Sequence, residues 1–288
     1  MTPYIFTEAY NCGKILKRCL ETFHRHHDNK VHIFGKRPDF DELGEIRTHP
    51  NNVLIDVSTD TILECLYRNG HSGTAYIFAK AFHHETNEHN DIVHFDSDVI
   101  FRGECLSDIT TKFDEGFDIV GTRRCYRHNR NHRDDVRSQP DTVNTFFFGM
   151  KKDKIDKVDF NTLRSMCEGH NAITGHKIID FFDPVVYSGL VNGARVHFLD
   201  YNDYGCFDEN GSKCNAYPEL NELMDFGHKI AHFAGVGSGY NNYKNGTTTS
   251  SYSSWSVERF YLYSSSVLGE NLGSHDAPLA DKIRTILS

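Results

Sequence analysis

The sequence predicts an α/β fold in which a mixed, mostly parallel sheet is flanked by helices. Within residues 1–100, short apolar runs typical of strands alternate with segments whose apolar residues recur at helical spacing. Strands that alternate with helices pair in parallel, because each helix serves as the crossover that a parallel neighbour requires. The chain of 288 residues shows no convincing linker or internal repeat, so it is predicted to form one domain.

Each element of the first half follows from a local pattern. Strands are predicted where β-branched and aromatic residues cluster, and helices where apolar residues share one face. The predicted elements are strands at Tyr4–Ala9, Val31–Gly35 and Val53–Val57 and helices at Gly13–His27, 58–69 and Thr74–His84.

The remainder of the chain is more mixed in its patterns. The predicted elements are strands at Asp118–Gly121, Thr145–Gly149 and Val196–Leu199 and helices at Asp159–Cys167, Gly175–Phe182, Pro184–Gly193 and Trp255–Leu268. Residues 123–141 and 240–256 are rich in polar side chains and are predicted to be surface loops.

The segment from Ile92 to Phe101 is an apolar run that two aspartates, Asp96 and Asp98, interrupt. Because an unpaired buried charge is very costly, the strand is predicted to end at Phe95 and to place both carboxylates at its C-terminal edge. Ligands of open α/β sheets bind at that edge. Two carboxylates so placed can hold a divalent cation; the alternative is an ordinary turn in which they hydrogen-bond nearby amides.

A second candidate segment joins a histidine to a glycine-rich run. His232 lies at the end of an apolar stretch, and Gly235, Gly237 and Gly239 follow it. Glycines permit close backbone approach to a ligand and present amides to anions. A neutral imidazole is a suitable third ligand for Mn²⁺ beside two carboxylates. The alternative is a core histidine next to a flexible loop.

The charge of the chain limits its partners. With 31 basic and 40 acidic side chains the formal net charge is −9, which disfavours nucleic acid and anionic membrane surfaces. The N-terminus lacks the pattern of a secretory signal, and no apolar run approaches about 18 residues, so a cytoplasmic protein without a membrane span is expected. The eight scattered cysteines are expected to be reduced thiols.

The strand–helix order, together with His94-Phe95-Asp96-Ser97-Asp98 and His232-Phe233-Ala234-Gly235, resembles the GT-A glycosyltransferases, which use nucleotide sugars. Over residues 4–240 the layout is most similar to the glycogenin and galactosyltransferase-like group. The resemblance implies a metal-dependent enzyme that moves a sugar from a nucleotide-sugar donor, favoured to be a UDP-sugar, to a hydroxyl acceptor such as a glycan.

The same resemblance divides the chain by function. It implies a single GT-A, Rossmann-like domain over residues 1–288. A nucleotide-binding half spans 1–100, an acceptor-binding half spans 101–240, and a C-terminal loop and helix span 241–288.

The resemblance also implies roles for individual residues. Asp96 and Asp98 are expected to ligate Mn²⁺ or Mg²⁺, with His232 as the third protein ligand. The metal would bridge the two phosphates and stabilise negative charge on the leaving nucleotide. The residues expected around the nucleotide sugar are Thr7, Glu8, Ala9, Tyr10, Asp56, Lys80, Asp96 and Ser97.

The stereochemical outcome and the general base stay open. An inverting enzyme needs a carboxylate or a histidine to deprotonate the acceptor hydroxyl. The candidates are His176, Asp180, Asp200 and Asp203. A retaining enzyme needs no dedicated base. The Gly-Asp-Gln step of the family corresponds here to Gly175-His176-Lys177, so the usual carboxylate is missing.

Two other classes of function compete with sugar transfer. A metal-dependent phosphoesterase can use Asp96, Asp98 and histidines, although such sites usually need ligands for two metals. A carbohydrate-binding protein without catalysis is suggested by the aromatic and Asn-rich region at 240–263. The early strand–helix alternation argues against the antiparallel sheets of such a module.

Overall fold

The computed structural model describes residues 2–9, 11–61, 81, 90–123, 143–155, 193–200, 202–207, 227–233, 235–236, 240 and 254–270. The strands in these ranges are β1 (Tyr4–Ala9), β2 (Val31–Gly35), β3 (Asn52–Asp56), β4 (Ile92–Phe95), β5 (Val99–Phe101), β6 (Ile119–Arg123), β7 (Val143–Met150), β8 (Val196–Leu199), β9 (Tyr204–Phe207) and β10 (Ile230–Phe233). The helices are α1 (Gly13–Phe23), α2 (Arg37–Glu42), α3 (Leu106–Asp114), α4 (Lys152–Ile155) and α5 (Ser254–Leu268), with a 3₁₀-helix at Gly44–Thr48.

The main sheet has seven strands in the order β3-β2-β1-β4-β7-β6-β8. Strands β1 to β4 run parallel to one another, and β8 runs parallel to β6. Only β7 is antiparallel to its two neighbours, β4 and β6. The predicted α/β class with a mixed, mostly parallel sheet is therefore confirmed, and the C-terminal ends of β1 and β4 meet at one edge.

A second sheet of three strands lies where β4 ends. Its order is β5-β10-β9, with β10 antiparallel to β5 and parallel to β9. Since β5 follows β4 after three residues, the chain passes directly from the main sheet into the small one. This small sheet was not among the predicted elements.

Most predicted strands in the described ranges are confirmed. The bounds of β1, β2 and β8 agree with the predicted ones, and β3 lies one residue earlier than predicted. Helix α5 also forms as predicted. The helices predicted between 58 and 84 and between 159 and 193, and the loop predicted at 123–141, lie largely outside the described residues.

Helix α1 ends at Phe23, four residues before the predicted end. The amides of His26 and His27 both bond to the carbonyl of Phe23, which tightens the last turn and ends the helical ladder. The inward face of α1 contributes Leu16, Cys19, Leu20 and Phe23 to the main core. Each such fully buried large side chain contributes roughly 1.5–3 kcal/mol to stability.

The C-terminal helix covers the small sheet. Val257, Phe260, Tyr261 and Tyr263 of α5 form a buried cluster that includes Phe233 of β10. The cluster ties the last described element to the strand that carries His232.

The buried His27 predicts a loss of stability in acid. Its side chain packs against Phe23 and Phe101, and burial lowers its pKa to about 4, although Glu104 opposes the shift. Between about pH 6.5 and pH 4 the unfolded chain therefore binds more protons than the folded one. We expect His27 alone to lower the free energy of unfolding by about 2 kcal/mol between neutral pH and about pH 5, and its contribution to be constant above that window.

Urea unfolding at about pH 7.5 and pH 5 measures this effect. The glutamine of His27→Gln cannot titrate. The free energy of unfolding of this variant should therefore fall by roughly 2 kcal/mol less between pH 7.5 and pH 5 than that of the wild type. The other histidines are present in both proteins and cancel in the comparison. An equal drop in the two proteins would show that His27 is not the buried neutral group.

No helix within the described part of the chain is long and apolar enough to cross a bilayer.

Candidate functional site

The Asp96-Ser97-Asp98 segment is the turn that joins β4 to β5. As predicted, β4 ends at Phe95 and the first aspartate follows it directly. The side chain of Asp96 is 31% exposed, whereas that of Asp98 is 10% exposed. The carboxylate of Asp98 is therefore nearly buried, whereas that of Asp96 is partly open to solvent.

The third residue arrives through the small sheet. Strand β10 pairs antiparallel with β5, so His232 lies opposite Val99. The amide of Phe233 donates to the carbonyl of Asp98 at 3.0 Å, which extends the pairing into the turn. This backbone register brings a histidine from late in the chain to the two aspartates.

The three side chains form a compact cluster. The Nε2 atom of His232 lies 3.2 Å from Oδ1 of Asp98 and 3.6 Å from Oδ2 of Asp96. One possible ligand atom from each residue lies within 4.8 Å of the other two. Two carboxylates this close repel each other, and a shared cation offsets that repulsion.

The donor set fits a divalent cation. Carboxylate oxygens suit Mn²⁺ and Mg²⁺, and the imidazole nitrogen favours Mn²⁺ over the strictly oxygen-preferring Mg²⁺. Asp96, Asp98 and His232 are thus the residues that could hold the metal. Within the described ranges they are the only group of three or more such side chains found close enough together.

The backbone of Asp96 is held on both sides. Its amide donates to the carbonyl of Phe146 on β7 at 2.9 Å, and the thiol of Cys19 on α1 donates to its carbonyl at 3.7 Å. Burial raises the pKa of Cys19 well above its ordinary value, so the residue is a neutral thiol donor. Neither Phe146 nor Cys19 was among the predicted site residues.

Strand β1 ends beside the cluster. It pairs in parallel with β4, so Thr7, Glu8 and Ala9 approach the same edge of the sheet as Asp96. Thr7 and Ala9 are buried and Glu8 is half-buried. The predicted contacts with the nucleotide would therefore come from backbone groups and from the Glu8 side chain, since the Thr7 side chain is buried. The predicted Tyr10 lies outside the described residues.

Asp56 takes part in a local turn at the end of β3. Its exposed carboxylate accepts a hydrogen bond from the amide of Ser58 at 2.8 Å, and bonding to Ser58 lowers the pKa of Asp56. The turn accounts for an aspartate at this position. Its predicted contact with the nucleotide base stays a prediction, and the predicted Lys80 lies outside the described residues.

Asp200 likewise stabilises a turn, between β8 and β9. It is exposed, its side chain accepts from the amide of Asn202 at 2.8 Å, and its carbonyl accepts from the amides of Asp203 and Tyr204. The role of Asp200 as a general base stays a prediction. The other two preferred candidates, His176 and Asp180, lie outside the described residues.

Gly235 follows the histidine strand with a φ of 86°. This left-handed conformation costs a residue with a Cβ atom roughly 1 kcal/mol or more, which explains a glycine here. Of the other two glycines of the predicted run, Gly237 and Gly239, the structure gives no description.

The structure of this protein, more than its sequence, is similar to those of known proteins. No protein-family model and no curated protein matches the sequence. The galactosyltransferase LgtC, in complex with donor and acceptor sugar analogs, matches with a TM-score of 0.54 and 14% identity, over 92% of this chain and 95% of LgtC. An active-site mutant of LgtC matches with a TM-score of 0.52 and 14% identity, over 86% of this chain and 97% of the mutant.

A third solved structure comes from an animal enzyme. Mouse xyloside xylosyltransferase 1, in its apo form, matches with a TM-score of 0.52 and 11% identity, over 80% of this chain and 97% of the mouse protein. The likeness extends over most of each chain. The chain has the fold of the GT-A glycosyltransferases.

Proposed function

We propose that this protein is a metal-dependent glycosyltransferase that moves a sugar from a nucleotide-sugar donor to a hydroxyl group of a glycan or glycoconjugate. The observation that carries the proposal is the Asp96–Asp98–His232 cluster at the C-terminal edge of a GT-A sheet. That edge is where ligands of open α/β sheets bind. Fold alone does not fix function, and the site supplies the chemical argument.

The cluster suits a diphosphate ligand once a cation is present. A protein of net charge −9 has no general attraction for a nucleoside diphosphate. Asp96, Asp98 and His232 would hold Mn²⁺ or Mg²⁺, which supplies charge stabilisation for the departing diphosphate. The nearly buried Asp98 fixes the base of the site, and the more exposed Asp96 faces the side from which the donor enters.

The donor is proposed to be a UDP-sugar that lies along the ends of β1 and β4. Thr7, Glu8 and Ala9 end β1 at this edge, and we propose that they line the nucleoside together with Tyr10. Ser97 lies between the two metal ligands and is proposed to contact the diphosphate. Asp56 and Lys80 are proposed to contact the base and the phosphates or sugar.

The acceptor is proposed by analogy with a solved relative in fold. LgtC was solved with both donor and acceptor sugar analogs, and an acceptor hydroxyl of a glycan is proposed for this chain by analogy. Should the reaction invert configuration, His176, Asp180 or Asp200 is proposed to accept the hydroxyl proton.

Calorimetry of UDP binding with and without Mn²⁺ tests the proposal. We expect binding in the presence of Mn²⁺ that chelation with EDTA abolishes, and release of UDP from a UDP-sugar when a panel of sugar acceptors is added. If UDP does not bind in the presence of Mn²⁺, the same measurement is repeated with GDP and other nucleotides.

Three outcomes would contradict the proposal. Absence of nucleotide binding with every metal and base would leave Asp96-Ser97-Asp98 as a structural turn. Glycan binding without nucleotide would instead support a carbohydrate-binding protein, and metal-dependent hydrolysis of a generic phosphoester would support a phosphoesterase.

A further inference from the structure

We infer that Phe146 is a positioning residue that orients His232 for metal binding and so sets the affinity of the cluster for its cation. The inference rests on the proposed function, because it assigns a role toward the metal. The ring of Phe146 stacks on the imidazole of His232, with 4.6 Å between ring centroids and 16° between ring planes. Phe146 is completely buried, so this ring has no alternative position in solvent.

The strand that carries Phe146 contacts a second ligand as well. In β7, Phe147 pairs with Phe95, the last residue of β4. The next carbonyl of β7, that of Phe146, accepts the amide of Asp96 at 2.9 Å. The antiparallel pairing therefore continues beyond β4 onto the metal-binding turn. One residue thus holds Asp96 through its backbone and His232 through its ring.

Ring stacking restrains the torsion that matters for a ligating imidazole. The rotation of a histidine ring about its Cβ–Cγ bond has broad, roughly two-fold preferences. An aromatic ring packed in parallel against the imidazole fixes the plane of the imidazole ring, and such pairs contribute about 0.5–1.5 kcal/mol beyond the area they bury. A 180° rotation leaves the ring in that plane but exchanges Nε2 for a carbon atom. The carboxylates of Asp96 and Asp98 favour the orientation that turns Nε2 toward them, at 3.6 Å and 3.2 Å, and the Phe146 ring holds the plane in which they meet it.

The neighbouring phenylalanine provides a matched control. Phe147 is as completely buried as Phe146 and belongs to the same strand. Its ring stacks on Tyr204, with 5.6 Å between centroids and 11° between planes, and contacts Phe101. A substitution of Phe147 removes the same core volume without removing the ring that lies on His232.

Mn²⁺ titration followed by the electron paramagnetic resonance signal of free Mn²⁺ tests the inference in Phe146→Leu and Phe147→Leu. We expect the dissociation constant for Mn²⁺ to rise about tenfold in Phe146→Leu, the low end of the range for residues that support a metal ligand. The constant of Phe147→Leu should stay close to that of the wild type. The ring proton resonances of His232 should lose their upfield ring-current shift in Phe146→Leu and keep it in Phe147→Leu.

The possible failures can be told apart. Equal losses of affinity in both variants, or an unchanged constant in Phe146→Leu, would overturn the role of the Phe146 ring. Should Phe146→Leu not fold, Phe146→Met takes its place with the same expectation, because its flexible, unbranched side chain fills irregular core gaps but has no ring. A wild-type protein that binds no Mn²⁺ at all would refute the proposed function instead.

Discussion

Replacing Asp98 with asparagine is expected to abolish metal-dependent UDP binding and to lower the rate of sugar transfer by more than about 100-fold. Residues that only support a metal ligand typically change metal affinity or activity by about 10- to 100-fold when they are replaced. Asparagine has nearly the same shape but lacks the negative charge that attracts a cation. Asp98 is also the carboxylate closest to His232, at 3.2 Å, and its side chain is 10% exposed. Solvent can therefore compensate only poorly for the lost charge.

The same substitution at an exposed carboxylate serves as the control. Asp114 lies at the end of α3 on the surface, and Asp114→Asn changes the net charge equally. Calorimetry with UDP and Mn²⁺, together with UDP release, should leave Asp114→Asn near the wild type. Retention of metal-dependent binding by Asp98→Asn would remove this residue from the proposed ligand set.

The strands that carry the site could be predicted because their signals are local. The strands predicted at Tyr4–Ala9 and Val31–Gly35 have the same bounds in the structure. The end of β4 at Phe95 follows from the cost of placing two carboxylates inside a strand. Parallel pairing of β1 with β4 then places the aspartates at the predicted edge.

The small sheet could not be predicted from such signals. Strand β5 has three residues and β9 has four, too few to show a period of two. The contact of His232 with Asp98 depends on the register between β5 and β10, which lie far apart in the sequence. His232 was identified through the glycine-rich run and the family resemblance, and neither of these indicates how the backbone brings it to the aspartates.

The packing of the three consecutive phenylalanines in β7 could not be predicted from the sequence either. The run at Thr145–Gly149 predicts a strand, and β7 contains it. Because all three rings are buried, the alternation that usually assigns side chains to faces is absent. Which ring lies on His232 depends on the neighbouring strands and not on the run itself.

Replacing Phe23 with alanine is expected to lower the free energy of unfolding by about 3–5 kcal/mol, the range for a large aromatic side chain removed from a core. Phe23 is the last residue of α1 and is completely buried. Its ring centroid lies 5.3 Å from that of Phe95 and 5.0 Å from that of Phe101. These two residues belong to the strands on either side of the Asp96–Asp98 turn, so the cavity would open beneath the candidate metal site.

Urea and thermal unfolding of Phe23→Ala, with Phe117→Ala as control, measure this effect. Phe117 is half-buried and packs against His197 and the guanidinium of Arg195, so its loss is expected to cost only about 1 kcal/mol. The melting temperature of Phe23→Ala should fall by about 10 °C, and that of Phe117→Ala by a few degrees. The Phe23 ring packs against Phe95 of β4 and Phe101 of β5. The affinity for Mn²⁺ should therefore fall in Phe23→Ala and stay unchanged in Phe117→Ala. Equal destabilisation by the two substitutions would mean that Phe23 is not a central support of the turn between β4 and β5.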